Sequence, residues 1–175
     1  MNTTHGRMIL VCILAMTGLP ALAQTFSGET DVAGDTQPAI DSPLASASRL
    51  LTSGQALAAR SIVEGMLRDD PNNIDALLLL GTIHIYLNDY QKAVELFDRI
   101  MVTFPENVML LNNYSWLLST ATDPAYRNPA KALELAQKAI LYEPGNFRVW
   151  STLAEAHYVN GNFNRALDIL RKGIE

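Results

Sequence analysis

The stretch that decides the fold runs from residue 73 to residue 107 and reads NIDALLLLGTIHIYLNDYQKAVELFDRIMVTFPEN. Its apolar residues recur at three- and four-residue spacings, which is the period of an α-helix. Asn88-Asp89 interrupts the pattern near its midpoint, and polar residues between two helical runs indicate a turn. Pro105 ends the second run, because proline cannot continue a helix. The stretch therefore predicts two antiparallel helices joined by a tight turn.

The proline-containing motif that follows this hairpin occurs three times in the chain. Each copy has a proline followed two residues later by an asparagine, at residues 71–73, 105–107 and 144–146. Asparagine is a good N-cap, so we predict that a new helix begins after each of these asparagines. The asparagines are 34 and then 39 residues apart. Spacings of this size are typical of helical repeat arrays.

The longer interval contains five extra residues, and a long turn at residues 122–129, TDPAYRNP, accounts for them. Asn128 and Pro129 within it look like an N-cap followed by a proline at the first helical position. The insertion thus falls between the two helices of one hairpin, where we expect it to leave the packing register unchanged.

The same apolar spacing continues from Pro43 to the end of the chain, without a convincing alternating strand pattern. The sequence therefore predicts an all-α fold, an α-solenoid of antiparallel helix hairpins with about three and a half to four repeats. The predicted repeats cover approximately residues 40–73, 74–107, 108–146 and 147–175.

At this point the chain resembles a known family, the tetratricopeptide repeat. The second hairpin has small and large residues in the places typical of that family: Leu77, Leu80, Gly81, His84, Ala93, Phe97 and Pro105. The fourth hairpin repeats the pattern with Trp150, Leu153, Ala154, His157, Ala166, Leu170 and Gly173. The third hairpin departs from it in two places, with Tyr114 where leucine is usual and Ser115 where glycine or alanine is usual. The first hairpin is the weakest copy.

The resemblance implies that the first helices of successive hairpins line a concave groove in which a protein or peptide lies. Carried over position by position, the groove residues are Leu78, Thr82, Ile85, Tyr86, Met109, Asn112, Trp116, Arg148, Glu155 and Tyr158, with Asp75, Ser119, Thr120, Ser151 and Val159 also on this face. Tryptophan and tyrosine are enriched at interaction hot spots. Trp116 is therefore the leading partner contact, the alternative being that a neighbouring helix or the segment at residues 24–42 covers it. A flexible peptide or an apolar helix fits this mixture of side chains.

The last hairpin suggests a second interaction surface. In a helical array each second helix is covered by the first helix of the next repeat. The apolar residues in that position in the fourth hairpin are Leu167 and Ile174. We therefore expect partner docking or self-association there, the alternative being a mildly apolar, frayed end.

The N-terminus has the order of a secretory signal: Arg7, an apolar run, and small residues ending at Ala23. We predict a signal peptide at residues 1–23 and a flexible linker at residues 24–42, followed by the repeat domain at residues 43–175. An uncleaved anchor is the alternative. The predicted localisation is export to the periplasm of a two-membrane bacterium. No membrane span is expected after cleavage.

Composition and motifs argue against several function classes. The formal net charge is −5 and no lysine or arginine cluster is present, which disfavours nucleic acid as a partner. The single cysteine, Cys12, lies within the predicted signal. No catalytic constellation or cofactor motif is found. His84 and His157 could be conceived as metal ligands, but a structural role fits their repeated position better.

The sequence thus predicts a non-enzymatic protein–protein interaction module without a cofactor or metal. We interpret it as a scaffold or assembly factor in the bacterial cell envelope that binds a peptide or helix in its groove. A structural subunit that self-associates through its last helix is the alternative.

Overall fold

A computed structural model describes residues 42–173 of the chain. Eight α-helices occupy this part, and it contains no β-strand. In chain order they are α1 (Pro43–Thr52), α2 (Ala56–Asp69), α3 (Ile74–Tyr86), α4 (Tyr90–Thr103), α5 (Val108–Thr120), α6 (Pro129–Tyr142), α7 (Phe147–Val159) and α8 (Phe163–Lys172). A short 3₁₀ turn, Pro124–Tyr126, lies between α5 and α6.

The predicted asparagine N-caps are confirmed. The side-chain oxygens of Asn73 and Asn107 accept hydrogen bonds from backbone N–H groups three residues later, at 3.0 and 2.9 Å. Asn128 does the same ahead of α6, and Asn146 caps α7 through the N–H of Arg148, each at 3.0 Å. Each cap satisfies a donor that the first helical turn leaves unpaired. The helix starts are therefore determined by local sequence.

Residues with a left-handed backbone end the first helix of three hairpins. They are Gly54 with φ of +80°, Asn88 with φ of 59°, and Gly161 with φ of +77°. Glycine and asparagine tolerate this conformation, which reverses the chain immediately after a helix. The turn at Asn88 in the second hairpin is thus of the same kind as the two glycine turns.

The helices form four consecutive hairpins, α1–α2, α3–α4, α5–α6 and α7–α8, and successive hairpins pack side by side. The first helices α1, α3, α5 and α7 lie next to one another in that order. The predicted all-α solenoid of antiparallel hairpins is confirmed.

Close helix contact within the second hairpin depends on Gly81. A Cβ atom at Gly81 would lie 2.2 Å from Cε1 of Phe97, whose side chain is fully buried. The ring of Phe97 in turn packs against the ring of Tyr114, with 5.5 Å between centroids. The small residue on α3 therefore makes room for an aromatic ring of α4 that also contacts α5.

The two residues that depart from the repeat pattern on α5 have specific partners. The Tyr114 hydroxyl donates to Oδ1 of Asp98 at 2.8 Å, and Nζ of Lys131 donates to the Tyr114 hydroxyl at 3.0 Å. Oγ of Ser115 donates to the carbonyl oxygen of Ala132 at 2.7 Å, in a fully buried position. Both side chains thus link the third hairpin across its helices by hydrogen bonds as well as by packing.

The insertion of the third hairpin packs against the second hairpin. The hydroxyl oxygens of Tyr90 and Thr122 lie 3.0 Å apart, and the rings of Tyr90 and Tyr126 have centroids separated by 5.7 Å. The backbone N–H of Asn128 donates to the carbonyl of Leu118 at 3.0 Å, which returns the chain to the hairpin. The additional residues therefore pack against the second hairpin and leave the contact between α5 and α7 intact.

Several sequence predictions lie outside the described residues. These are the signal peptide at 1–23, nearly all of the linker at 24–42, and Ile174. Between residues 42 and 173, none of the helices has the length and apolar character that a bilayer span requires.

Candidate partner-binding surface

The surface formed by the neighbouring first helices α3, α5 and α7 is called the inner surface here. It contains the groove residues that the repeat pattern predicts. On α3, Leu78 is 1% exposed and Ile85 is also buried, so both belong to the core. Thr82 is half-buried, and Tyr86 at the end of α3 is 38% exposed. Of these four residues, Tyr86 is the one accessible to a partner without rearrangement.

On α5, the inner surface carries Met109, Asn112, Trp116 and Ser119. Met109 is 37% exposed, and Trp116 is half-buried. Asn112 is 4% exposed and Ser119 is 5% exposed. Oδ1 of Asn112, Nε1 of Trp116 and Oγ of Ser119 are withdrawn from solvent, and none has a hydrogen-bond partner within residues 42–173. The middle of the inner surface thus combines an accessible methionine with a row of unpaired polar atoms.

A chain of hydrogen bonds connects this row to α3. Nδ2 of Asn112 donates to Oδ1 of Asn113 at 3.3 Å, and Nδ2 of Asn113 donates to Oγ1 of Thr82 at 3.0 Å. Oγ1 of Thr82 then donates to the carbonyl of Leu78 at 3.0 Å. Every donor points toward α3, which leaves Oδ1 of Asn112 as the open acceptor end.

Sequence reasoning did not identify Asn113 as part of this network. The available signal was the pair of adjacent asparagines inside an otherwise apolar helix. Buried polar side chains need partners, so such a pair indicates either an inter-helix bond or a ligand contact. The structure assigns the inter-helix bond to Asn113, and it leaves the buried Oδ1 of Asn112 without a partner in the described residues.

On α7, Arg148 is half-buried in the first turn. Burial lowers the pKa of its guanidinium, and burial raises the pKa of the Tyr86 phenol, which the charge of Arg148 partly offsets. The two groups therefore interact electrostatically although α5 lies between their helices. No salt bridge to Arg148 is found in the part of the chain that the structure describes.

The remaining predicted groove residues on α7 are buried or half-buried. Glu155 is buried, and Tyr158 is half-buried with its ring 5.2 Å from that of Phe163 at the start of α8. Tyr158 therefore packs within its own hairpin. The structure brings the predicted set together on three neighbouring helices, and a role for each member in binding a partner stays a prediction.

The second predicted surface lies on α8. Leu167 is 49% exposed and Phe163 is 60% exposed. Both are large apolar side chains on the helix that ends the described part of the chain. A docking role for Leu167 stays a prediction.

The described residues contain no group of three or more histidine, cysteine, aspartate or glutamate side chains that could hold a metal ion. His84 is buried, with Nδ1 3.5 Å from Oδ2 of Asp89, the outer limit for a hydrogen bond. His157 is half-buried, and burial lowers the pKa of both histidines. Their repeated position is thus a packed one in both hairpins.

Comparison with known proteins identifies the same architecture. The sequence profile of the family described as Tetratricopeptide repeat matches residues 50–108 and 125–175. A thermophilic TPR protein from Thermus thermophilus is similar in structure, with a TM-score of 0.65 and 20% identity over 75% of this chain and 71% of that one. MamA from Desulfovibrio magneticus gives a TM-score of 0.56 and 18% identity over 75% of this chain and 72% of its own. No curated protein sequence matches the chain.

Proposed function

The chain belongs to the tetratricopeptide repeat family, and from that premise we propose that it is a scaffold or assembly factor of the bacterial cell envelope. Proteins of this family generally act as interaction modules and not as enzymes, and the repeat array supports a protein–protein interaction scaffold. The proposed binding site for a peptide or helix is the inner surface of α3, α5 and α7.

One observation supports the inner surface as the binding site. The polar atoms of Asn112, Trp116 and Ser119 have no partner within residues 42–173, although they are withdrawn from water. Buried polar groups in folded proteins are nearly always paired, so the three atoms on one face of α5 support this face as the place where a partner supplies hydrogen bonds. The exposed side chains of Tyr86 and Met109 supply apolar contact area beside this cluster.

Crosslinking in living cells tests the surface directly. In one variant, a photoreactive phenylalanine analogue replaces Met109 on the inner surface. In a matched control, the same analogue replaces Gln137, which is exposed on α6, the second helix of the third hairpin. We expect a discrete crosslinked protein from position 109 that is absent from position 137 and is reduced by Trp116→Ala. Equal crosslinks from both positions, or a product from position 137 alone, would contradict the proposed site.

The envelope location rests on the composition of residues 1–23, which has the order of an export signal. N-terminal sequencing of the protein recovered from a periplasmic fraction tests it. We expect the mature chain to begin at Gln24. Recovery of a chain that begins at Met1 from the cytoplasm would contradict export.

A second candidate function is self-association through α8, which the exposed side chains of Phe163 and Leu167 favour. Burial of such side chains contributes to association in proportion to the apolar area removed from water. Sedimentation at micromolar concentrations is the measurement, with Leu167→Glu as the variant. A larger species that the variant abolishes supports this function, and a monomer throughout argues against it.

A further inference from the structure

The turn of the fourth hairpin contains the only Asn-Gly pair in the chain, Asn160-Gly161. In such a pair the backbone nitrogen of the glycine can attack the side-chain amide of the asparagine, because glycine has no Cβ atom to obstruct the approach. The nitrogen of Gly161 forms a bond to Cγ of Asn160 and gives up its proton, and Nδ2 leaves as ammonia. Water then opens the cyclic imide to aspartate or isoaspartate, so the reaction needs no other reactant.

Both reacting groups are held by hydrogen bonds in the folded protein. Nδ2 of Asn160 donates to the carbonyl oxygens of Ala156 at 2.7 Å and of Pro129 at 2.8 Å. The backbone N–H of Gly161 donates to the carbonyl oxygen of Tyr158 at 2.9 Å. Attack on Cγ requires these bonds to break and the turn to change shape. The reaction is therefore expected only in molecules whose fourth hairpin has opened.

The amide of Asn160 also joins the third and fourth hairpins. Ala156 carries one of the last four carbonyls of α7, which an α-helix leaves without an internal partner. Pro129 is the first residue of α6, so the second bond crosses from the end of α7 to the neighbouring hairpin. The residues that follow α3 and α5 are Leu87 and Ala121, whose side chains have no hydrogen-bond donor. Among these three first helices, α7 is therefore the one held by a side-chain amide at its end.

We propose that Asn160 is a site of spontaneous deamidation, and that its modification loosens the fourth hairpin. The asparagine amide has two N–H donors, whereas a carboxylate can only accept hydrogen bonds. After deamidation, negatively charged oxygens face the carbonyl oxygens of Ala156 and Pro129 in place of a donor. The loss of a donor at a half-buried position destabilises the closed hairpin. Isoaspartate in addition inserts a methylene group into the backbone of the turn.

The fourth hairpin is well placed for such opening. It packs against the third hairpin, and no further hairpin covers its other side among residues 42–173. In a repeat array each unit is stabilised by its neighbours, so a unit with one neighbour opens more readily than an inner one. Because the modification is covalent, its product accumulates with each opening. Modification would thus progressively detach α7, which carries Arg148, from the inner surface.

The first test follows residue 160 in the full wild-type chain by peptide mapping with mass spectrometry. The protein is kept in mildly alkaline buffer with or without urea, and an isoaspartate methyltransferase assay identifies the isoaspartate product. We expect conversion of Asn160 to be at least about tenfold faster in urea, because the folded protein reacts only through its open fraction. Asn88 is the internal control and should stay unmodified over the same period, because the residue that follows it carries a side chain. Absence of conversion in urea would refute the site, and equal rates in the two buffers would refute control by the fold.

Two glycine substitutions test whether opening of this hairpin controls the rate. Gly173→Ala would place a Cβ atom 2.9 Å from Cβ of Trp150, so it crowds the contact between α7 and the end of α8. Gly145→Ala is the matched control, because its new Cβ meets no atom within 4 Å. In native buffer we expect conversion of Asn160 to rise about tenfold in the first variant and to stay unchanged in the second. Equal rates in both variants would contradict opening of the fourth hairpin as the controlling step.

Hydrogen exchange measures what the modification does to the fold. Asn160→Asp reproduces the aspartate product, and Asn164→Asp makes the same charge change at an exposed position on α8. Relative to wild type, we expect the amides of α7 and α8 to exchange about tenfold faster in Asn160→Asp and no faster in Asn164→Asp, with α3 and α4 unaffected. Wild-type protein deamidated in urea and then refolded gives the same comparison without a designed substitution. Exchange that is unchanged in both Asn160→Asp and the refolded product would overturn the proposed effect.

Discussion

The contact between α3 and α4 differs from the group formed by Asn112, Trp116 and Ser119 on α5. The first is filled by side chains of the described residues, and the second keeps polar atoms that have no partner among those residues. At Gly81 there is no room even for a methyl group, because Phe97 fills the space. On α5, those polar atoms are Oδ1 of Asn112, Nε1 of Trp116 and Oγ of Ser119. The difference leads us to expect that substitutions at the hairpin contact change stability, whereas substitutions on the inner face of α5 change the proposed binding.

The largest expected effect on stability is at the contact between α3 and α4. Gly81→Ala places a Cβ atom 2.2 Å from Cε1 of Phe97, so the buried ring or the helix has to move. Overpacking of this kind lowers the free energy of unfolding by about 1–3 kcal/mol. Urea unfolding followed by circular dichroism measures it.

Gly65→Ala is the matched control, because the same substitution inside α2 would bring the new Cβ no closer than 3.6 Å to Nη2 of Arg68. The higher helix propensity of alanine should raise the free energy of unfolding by about 1 kcal/mol. If both glycine variants were stabilised, the account of the tight contact between α3 and α4 would be wrong.

Two serines one helical turn apart sharpen the comparison within α5. Ser115→Ala removes a buried hydrogen bond of 2.7 Å to the carbonyl of Ala132, and we expect the free energy of unfolding to fall by about 1 kcal/mol. Ser119→Ala removes a hydroxyl that has no partner in residues 42–173, so stability should be unchanged or higher by up to about 1 kcal/mol. Urea unfolding of both variants under identical conditions measures the contrast. Equal losses in the two would mean that Ser119 is paired after all.

A smaller effect is expected from pH. Burial lowers the pKa of His84 in the folded protein, although nearby Asp89 opposes this, while Lys92 and Arg60 add to it. The unfolded chain therefore binds a proton more readily, and stability falls as the pH drops below about 6.5. Urea midpoints at pH 8 and pH 5.5 measure the loss. His84→Gln should make that loss smaller, and the remainder should include His157, whose pKa burial also lowers. A variant with an unchanged or steeper pH dependence would contradict this explanation.

The parts of the fold that depend on local sequence were predictable. Asn73, Asn107 and Asn146 cap helices because a cap involves only the next few residues. The position of Asn112, Trp116 and Ser119 on one face of α5 also followed from helical period and family resemblance. The degree to which these three side chains are buried could not be predicted, because it depends on how closely α3 and α7 approach α5.

The partners of unusual residues were not predictable for the same reason. Tyr114 departs visibly from the repeat pattern, but its partners Asp98 and Lys131 are 16 and 17 residues away in the chain. The bond from Asn113 to Thr82 spans 31 residues. A repeat pattern indicates which positions face a neighbouring helix, and only the packed structure shows which polar groups there remain unpaired.

The most direct test of the binding face uses the two tryptophan indole N–H groups as paired reporters. Nε1 of Trp150 already donates to the carbonyl of Pro144 at 2.6 Å, whereas Nε1 of Trp116 has no partner among residues 42–173. Proton–nitrogen NMR spectra follow both signals during titration with a peptide selected against the full chain from a random phage-displayed library, and Trp150→Phe assigns the signals. We predict that the Trp116 signal moves downfield and exchanges more slowly with water while the Trp150 signal stays in place. A Trp116 signal unchanged at saturation would contradict the account.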